Sequence, residues 1–239
     1  MKSEWAAWVK RRIIMYHYVE DKKFVHKIRS LSGEMLQDLC HTLKEKYDIG
    51  ANFYLVGSGA RNLILQNENE PIDLDYNLEI VRCDNFNDGR TIKECIRKAF
   101  NEVLNEYDLL DCEDSTSSLT TKKIHFTKGN NTEFSIDICI VKTDIYGTHR
   151  LIHDKRGFVC YNGYGYIWNI APNSKDIRKK VEKIKRMGKW EDVREQYKSI
   201  KNRYLSYGDH NHPSFVCYIE AVNNVYNSIK NGWISFKGV

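Results

Sequence analysis

Asp73 and Asp75 stand two residues apart in the segment from Ile72 to Ile80, where apolar and polar residues alternate without a break. A period of two marks a strand with one buried face, and residues at i and i+2 project from the same side of it. The two carboxylates therefore share an open face, a few ångströms apart. Left bare, such a pair repels itself, and a divalent cation is its natural complement. Mg²⁺ accepts few protein carboxylates and fills its remaining positions with water and phosphate oxygens, so a triphosphate would complete the shell. A third carboxylate, Asp137, interrupts the apolar series Phe134, Ile136, Ile138 and Ile140 on a later strand. If the two strands are neighbours, the three carboxylates suit a pair of Mg²⁺ or Mn²⁺ ions clamping the entering and leaving oxygens of an in-line displacement.

Upstream, the apolar run Asn52 to Val56 stops at Gly57-Ser58-Gly59. This reads as a buried strand ending in a tight turn, followed by a short helix from Ala60 to Gln66. Glycine permits close backbone approach, free N–H groups at the turn face outward, and the Ser58 hydroxyl can donate to a phosphate oxygen. A phosphate held there would lie beside the metals.

The elements that must carry these residues follow from periodicity. Residues 3–46 have largely helical spacing, with Leu31, Met35, Leu39 and Leu43 on one face and Ser30 or Ser32 as the cap of a second helix. A helix over 91–107 aligns Ile92, Cys95, Ile96, Ala99, Phe100, Val103 and Leu104. Strands are expected over 119–128 and 133–142, joined by a hairpin turn at Gly129-Asn130-Asn131. Tyr161 to Tyr166 forms a tyrosine and glycine linker before Pro172, which places a domain boundary at 160/161. Beyond it three helices are spaced by Ile177, Val181 and Ile184, by Val193, Tyr197, Ile200 and Tyr204, and by Phe215, Ile219, Val222 and Tyr226. The fold class is α+β: a small mixed or antiparallel sheet flanked by helices in residues 1–160, then a helical half in residues 161–239.

Composition bounds the function classes. Charged residues at 29% and hydrophobic ones at 41% of 239 residues describe a globular chain of one or two domains, and exclude a disordered or fibrous one. Between Lys175 and Arg203 twelve Lys/Arg face five Asp/Glu, a surplus of seven against +5 for the whole chain. The basic surplus thus sits in one segment, which fits either a solvated helical face or a polyanion such as RNA. Seven cysteines, an odd number with no Cys-x-x-Cys, read as free thiols in a reducing compartment, and cytoplasmic residence follows as the expectation. Lys10, Arg11 and Arg12 interrupt the apolar N-terminus, so neither a signal peptide nor a membrane span is expected there.

The string LVGSGARN, then PIDLDYNLEI, then EFSIDICIV resembles the DNA polymerase beta superfamily of nucleotidyltransferases. That pattern is a strand ending in Gly-Ser, Asp-x-Asp on the next strand and a lone Asp on a later one, and residues 50–142 match it. The resemblance implies transfer of a nucleoside monophosphate from a nucleoside triphosphate such as ATP to a hydroxyl, with release of pyrophosphate. It implies Asp73, Asp75 and Asp137 as catalytic metal ligands, with Asp137 on the acceptor side, and Gly57, Ser58 and Gly59 as nucleotide-binding residues. Fourteen residues separate Ser58 from Asp73, at or slightly beyond the long end of the family's range, which implies a turn and short helix longer than typical.

The acceptor is open at this point: an RNA or tRNA end, a small molecule, a protein or another nucleotide. A non-catalytic nucleotide- or RNA-binding protein of the same fold is the alternative in another class, although all three carboxylates are present. An Asp-x-Asp glycosyltransferase is a third, opposed by the Gly-Ser turn and the lone Asp. Lesser candidates are a metal at Asp209-His210-Asn211-His212, base stacking by Tyr161, Tyr164 or Tyr166, and triphosphate contacts from Lys179, Lys180, Lys183, Lys198 or Lys201. His149 and His153, with Arg150 and Lys155 nearby, complete that list.

Overall fold

The computed structural model describes residues 15–154, 165–171, 175–209 and 212–230. Lys10, Arg11, Arg12, Lys155, Tyr161, Tyr164, Pro172, His210 and Asn211, all part of the sequence reading, lie outside them. The chain groups into two compact units. One comprises residues 20–62 and 71–172; the other comprises 1–19, 63–70 and 173–239. The helical unit therefore also takes in two short upstream segments, and residues 165–171 group with the sheet, where the sequence suggested a break at 160/161.

In the sheet unit the first element is helix α1 (Lys22–Tyr47). Its cap is Asp21, whose carboxylate accepts from Phe24 N at 2.9 Å, so Ser30 and Ser32 are helix-interior residues and not caps. Ser32 is buried and returns its hydroxyl to Ile28 O at 2.7 Å, which satisfies it without a cap role. Phe24, Ile28, Met35, Leu36, Leu39 and Leu43 form the buried stripe at helical spacing. Asp48 then turns the chain in the left-handed region at φ 51°. Strand β2 (Gly50–Leu55) follows, then the five-residue helix α2 (Gly57–Arg61), strand β4 (Ile72–Arg82) and helix α3 (Gly89–Glu106). Asp88 caps α3 by accepting from Thr91 N at 3.0 Å, and Ile96, Ala99, Phe100, Val103 and Leu104 are wholly buried along it.

Short strands β5 (Glu113–Asp114) and β6 (Leu119–Thr120) precede β7 (Phe134–Asp144), β8 (Gly147–His153) and β9 (Tyr166–Ile170). The strand order is β2-β4-β7-β6-β5, with β8 continuing from β7 and β9 from β8. Among the described residues only the β4–β7 pair is parallel and the other pairs are antiparallel, so the sheet is mixed. A parallel neighbour requires a long crossover, and the segment containing α3 supplies it. The strand expected over 119–128 is much shorter, and its regular ladder ends at Thr120. Beyond it the backbone meets β7 through Thr121, which donates its N–H to Ile136 O at 3.0 Å and accepts from Ile136 N at Oγ1 at 2.9 Å, and through the bridge Ile124↔Phe134. Consecutive Lys122 and Lys123 break the apolar alternation there, and both side chains turn to carboxylates instead.

The second unit opens on strand β1 (Tyr16–Tyr18), paired with β3 (Leu65–Asn67). Residues 16–18 are thus extended and not helical, and the helix expected over 60–66 ends at Arg61. Helices α4 (Lys175–Arg186), α5 (Trp190–Ser206) and α6 (Ser214–Lys230) fall where the sequence spacing put them. Ile184, Val193, Tyr197, Ile200, Tyr218, Ala221, Val222 and Val225 bury together with Leu63. Asn202 ties this unit's strand to α5, accepting from Tyr16 N at 2.6 Å and donating to Tyr16 O at 3.1 Å. Among the described residues, no helix is long and apolar enough to cross a membrane.

Candidate active site

On β4 the residues Ile72, Leu74, Tyr76, Leu78 and Ile80 are buried, which leaves Asp73, Asp75, Asn77 and Glu79 on the other face. The parallel register sets Asp73 opposite Ser135, Asp75 opposite Asp137, and Asn77 opposite Cys139. Asp75 and Asp137 are therefore direct cross-strand neighbours, separated by one strand spacing of about 4.8 Å at the backbone. On the far side of β7, Asp137 pairs with Thr120, and Val141 with Arg150. The open face thus reads, from β4 outward, as two carboxylates, a third carboxylate, and then a guanidinium.

Gly57 comes up against this face. Val56 N donates to Asp75 O at 2.8 Å, which fastens the start of α2 to β4. Gly57 has φ 61°, and a Cβ built on it would overlap the Asp75 carboxylate, so both its conformation and its packing demand glycine. The Gly57-Ser58-Gly59 segment is the first turn of α2 itself, one turn earlier than the sequence suggested. Its backbone is braced by Arg61 Nη1 on Gly57 O and Arg29 Nη2 on Gly59 O, each at 2.5 Å. Among the described residues no hydrogen bond engages the Ser58 hydroxyl.

Each carboxylate has a different setting. Ser135 Oγ donates to Asp73 Oδ1, and Lys123 Nζ reaches the same oxygen at 3.0 Å and Ser135 Oγ at 3.1 Å. Thr120 Oγ1 donates to Asp137 Oδ1. The Asp75 carboxyl is pushed up to about 6, first by burial, then by Asp137 and Asp73, against the opposing pull of Arg150 and Arg61. Burial also raises Asp137; Asp73 adds to that, while Thr120 and Lys123 counter it. The Cys139 thiol is raised by burial, with Arg150 pulling it down and Asp75 and Asp137 pushing it up.

Among the described residues no three His, Cys, Asp or Glu side chains are gathered as a ready-made metal site. Asp73 leans on Lys123 and Ser135, and Asp137 leans on Thr120, so the three expected ligands share a face without converging. The donor set nevertheless fits a hard divalent cation: three carboxylates, two of them electrostatically disfavoured as anions, with one oxygen of Asp73 and one of Asp137 left outside those hydrogen bonds.

Ser135, Lys123, Thr120 and Arg61 did not emerge from sequence reasoning. Ser135 was open to it, since it precedes Asp137 by two and so shares its face. Lys123 and Thr120 carry no such signal, because their segment departs from a regular strand. Other candidates are placed elsewhere. His149, opposite Lys142, and His153, opposite Tyr166, lie on the Leu151 face of β8, away from Arg150 and the carboxylates. His153 and Tyr166 stack on each other at 4.3 Å. His212 is bonded to Asp209 at 2.8 Å and stacked on Tyr204, which accounts for it without a metal. In the helical unit Lys180 donates to Asn223 at 2.7 Å, Lys183 lies over the Tyr226 ring, Lys198 pairs with Glu195 and Lys201 reaches Ser214. Lys179 is exposed.

No protein-family profile and no curated protein sequence matches this chain. Solved structures do. CdnC of E. coli MS115-1, solved with ATP, superposes with a TM-score of 0.55 at 16% identity over 90% of this chain and 63% of CdnC. A variant of the Vibrio cholerae di-nucleotide cyclase DncV, solved with ATP and GTP, gives 0.60 at 10% identity over 92% and 71%. The cyclic dinucleotide synthase CdnE of Elizabethkingia meningoseptica, with GTP and Apcpp, gives 0.50 at 15% identity over 86% and 71%. The chain has their fold. The α+β expectation is met by the mixed sheet with its flanking helices. This chain spans about two thirds of the neighbours' length, 63% in the case of CdnC.

Proposed function

We propose that this chain is a metal-dependent nucleotidyltransferase that moves a nucleoside monophosphate from a nucleoside triphosphate to the hydroxyl of a second nucleotide. The observation that carries the reading is the Asp75↔Asp137 register with Gly57 packed on Asp75, which sets a glycine turn and three carboxylates side by side on one sheet face. The nucleotide acceptor is favoured over RNA, protein or a small molecule by the likeness to a cyclic dinucleotide synthase solved with GTP and a di-nucleotide cyclase solved with ATP and GTP.

In this reading the α2 turn and the Ser58 hydroxyl take the β- and γ-phosphates, and Arg61 bonds to the Gly57 carbonyl and keeps the turn rigid. Asp73, Asp75 and Asp137 would hold Mg²⁺ or Mn²⁺, which would neutralise charge on the phosphate oxygens and make the attacking hydroxyl more acidic. Asp137 lies on the strand farther from the phosphate turn, so it faces the acceptor. Thr120 fixes its rotamer through one oxygen and leaves the other to orient the acceptor hydroxyl. Arg150, beyond Asp137, adds positive charge on the acceptor side of the face, as a second nucleotide's phosphates require.

The test is incubation with α-labelled ATP or GTP, singly and together, with Mg²⁺ and with or without total RNA. A labelled, phosphatase-resistant small product with pyrophosphate release supports the reading. Label carried into RNA would move the acceptor to a nucleic-acid end, and no transfer to any acceptor would contradict the activity.

A further inference from the structure

Lys123 is the one ammonium that bonds to any of the three carboxylates among the described residues. Its Nζ lies 3.0 Å from Asp73 Oδ1, and Ser135 Oγ bridges the same two groups, so Asp73 is held in a three-member cluster. The cluster sits at the solvent edge of the face: the side chains of Lys123 and Asp73 are 45% and 56% exposed. Its neighbour Lys122 points elsewhere, to Glu113. Lys123 comes from the irregular stretch after Thr120, between Thr121, which is bonded to Ile136, and the Ile124 bridge.

The arrangement has a consequence for any cation that enters. Three carboxylates with one ammonium among them carry a net charge of −2 when ionised, not −3. The ammonium is bonded to Asp73, the residue through which the set would have to close. An exposed ion pair is weak, so a divalent cation can exchange with it at small cost, but not at none. We propose that Lys123 is a resident counter-ion of Asp73 that a divalent cation must displace before the three carboxylates converge. Lys123 and Ser135 then act as positioning residues, which keep Asp73 paired in the metal-free protein and set the concentration at which metal binds. The inference rests on the carboxylate-site reading above.

The experiment is Mn²⁺ titration of the full-length, nucleotide-free protein, followed by isothermal calorimetry and by the loss of free-Mn²⁺ electron paramagnetic resonance signal. Lys123→Gln keeps a polar side chain, one atom shorter, and removes its charge. It is expected to bind Mn²⁺ roughly three- to fivefold more tightly than the wild type, the scale of an exposed ion pair. Lys123→Arg and Lys122→Gln are expected to match the wild type, and circular dichroism checks that all remain folded. Unchanged or weaker Mn²⁺ binding in Lys123→Gln overturns the inference, as does equal tightening in Lys122→Gln, which would make it a general charge effect. Asp75→Asn separates the two readings. If wild-type binding survives that change undiminished, the carboxylate site itself is wrong, whereas if it is lost while Lys123→Gln has no effect, only the lysine's role fails.

Discussion

A single carboxyl shows how position sets chemistry. Asp75 is ordinary by type, yet burial and two neighbouring aspartates hold its carboxyl near 6, above the unfolded value of about 3.9. The folded chain therefore binds the proton more tightly than the unfolded one. By linkage, stability falls as pH rises from about 4 to about 6, and above that window the cost is fully present. In metal-free buffer the melting temperature of the wild type should drop across that window relative to Asp75→Asn, and the gap should level off near pH 7; a gap independent of pH would remove the electrostatic account. Ser58 offers the complementary case, a half-buried residue whose hydroxyl makes no hydrogen bond among the described residues. Ser58→Ala should leave the melting temperature unchanged and weaken binding of a non-hydrolysable triphosphate by about tenfold, the value of one hydrogen bond to a charged group. Calorimetry showing equal affinity would reduce Ser58 to a residue of the turn.

At the scale of elements, the sheet's two long strands were legible because their alternation is unbroken over many residues. Ile72 to Ile80 and Phe134 to Ile140 leave no other face for Asp73, Asp75 and Asp137. The amphipathic helices were legible for the same reason, although α6 buries Cys217, Tyr218, Ala221, Val222 and Val225, while of the expected face Phe215 is exposed and Ile219 and Tyr226 are only partly buried. What was not legible depends on contacts distant in sequence. Strand β1 is three residues long and exists through its pairing with β3, so no local period announces it. Lys93 reads as a surface lysine in helix 91–107, yet it is 1% exposed, with Asp114 at 2.5 Å and Ser115 O at 2.7 Å. That ion pair ties α3 to β5, and the turn after β5 leads directly into Thr120, which holds Asp137. Lys93→Met should therefore destabilise the protein by roughly 1–3 kcal/mol, below the full cost of a broken buried pair because Asp114 is partly exposed. Equilibrium denaturation in urea measures it, and an unshifted midpoint would show that the pair contributes nothing.

For the whole molecule, the claim is that the carboxylate face is built for function at the expense of stability. A structural cluster behaves in the opposite way, since removing one of its members leaves partners unsatisfied. Among the described residues no hydrogen bond ends on the Asp75 carboxylate, so its replacement by asparagine deletes repulsion and breaks no bond within the fold. The decisive measurement is therefore a paired one on Asp75→Asn: thermal unfolding of the metal-free protein, and Mg²⁺-dependent pyrophosphate release with ATP and GTP. The account predicts a melting temperature raised by roughly 3–6 °C, no pyrophosphate release, and no added stabilisation from Mg²⁺ plus nucleotide. A variant that melts lower than the wild type and still releases pyrophosphate would show that these carboxylates hold the fold and that the chemistry lies elsewhere.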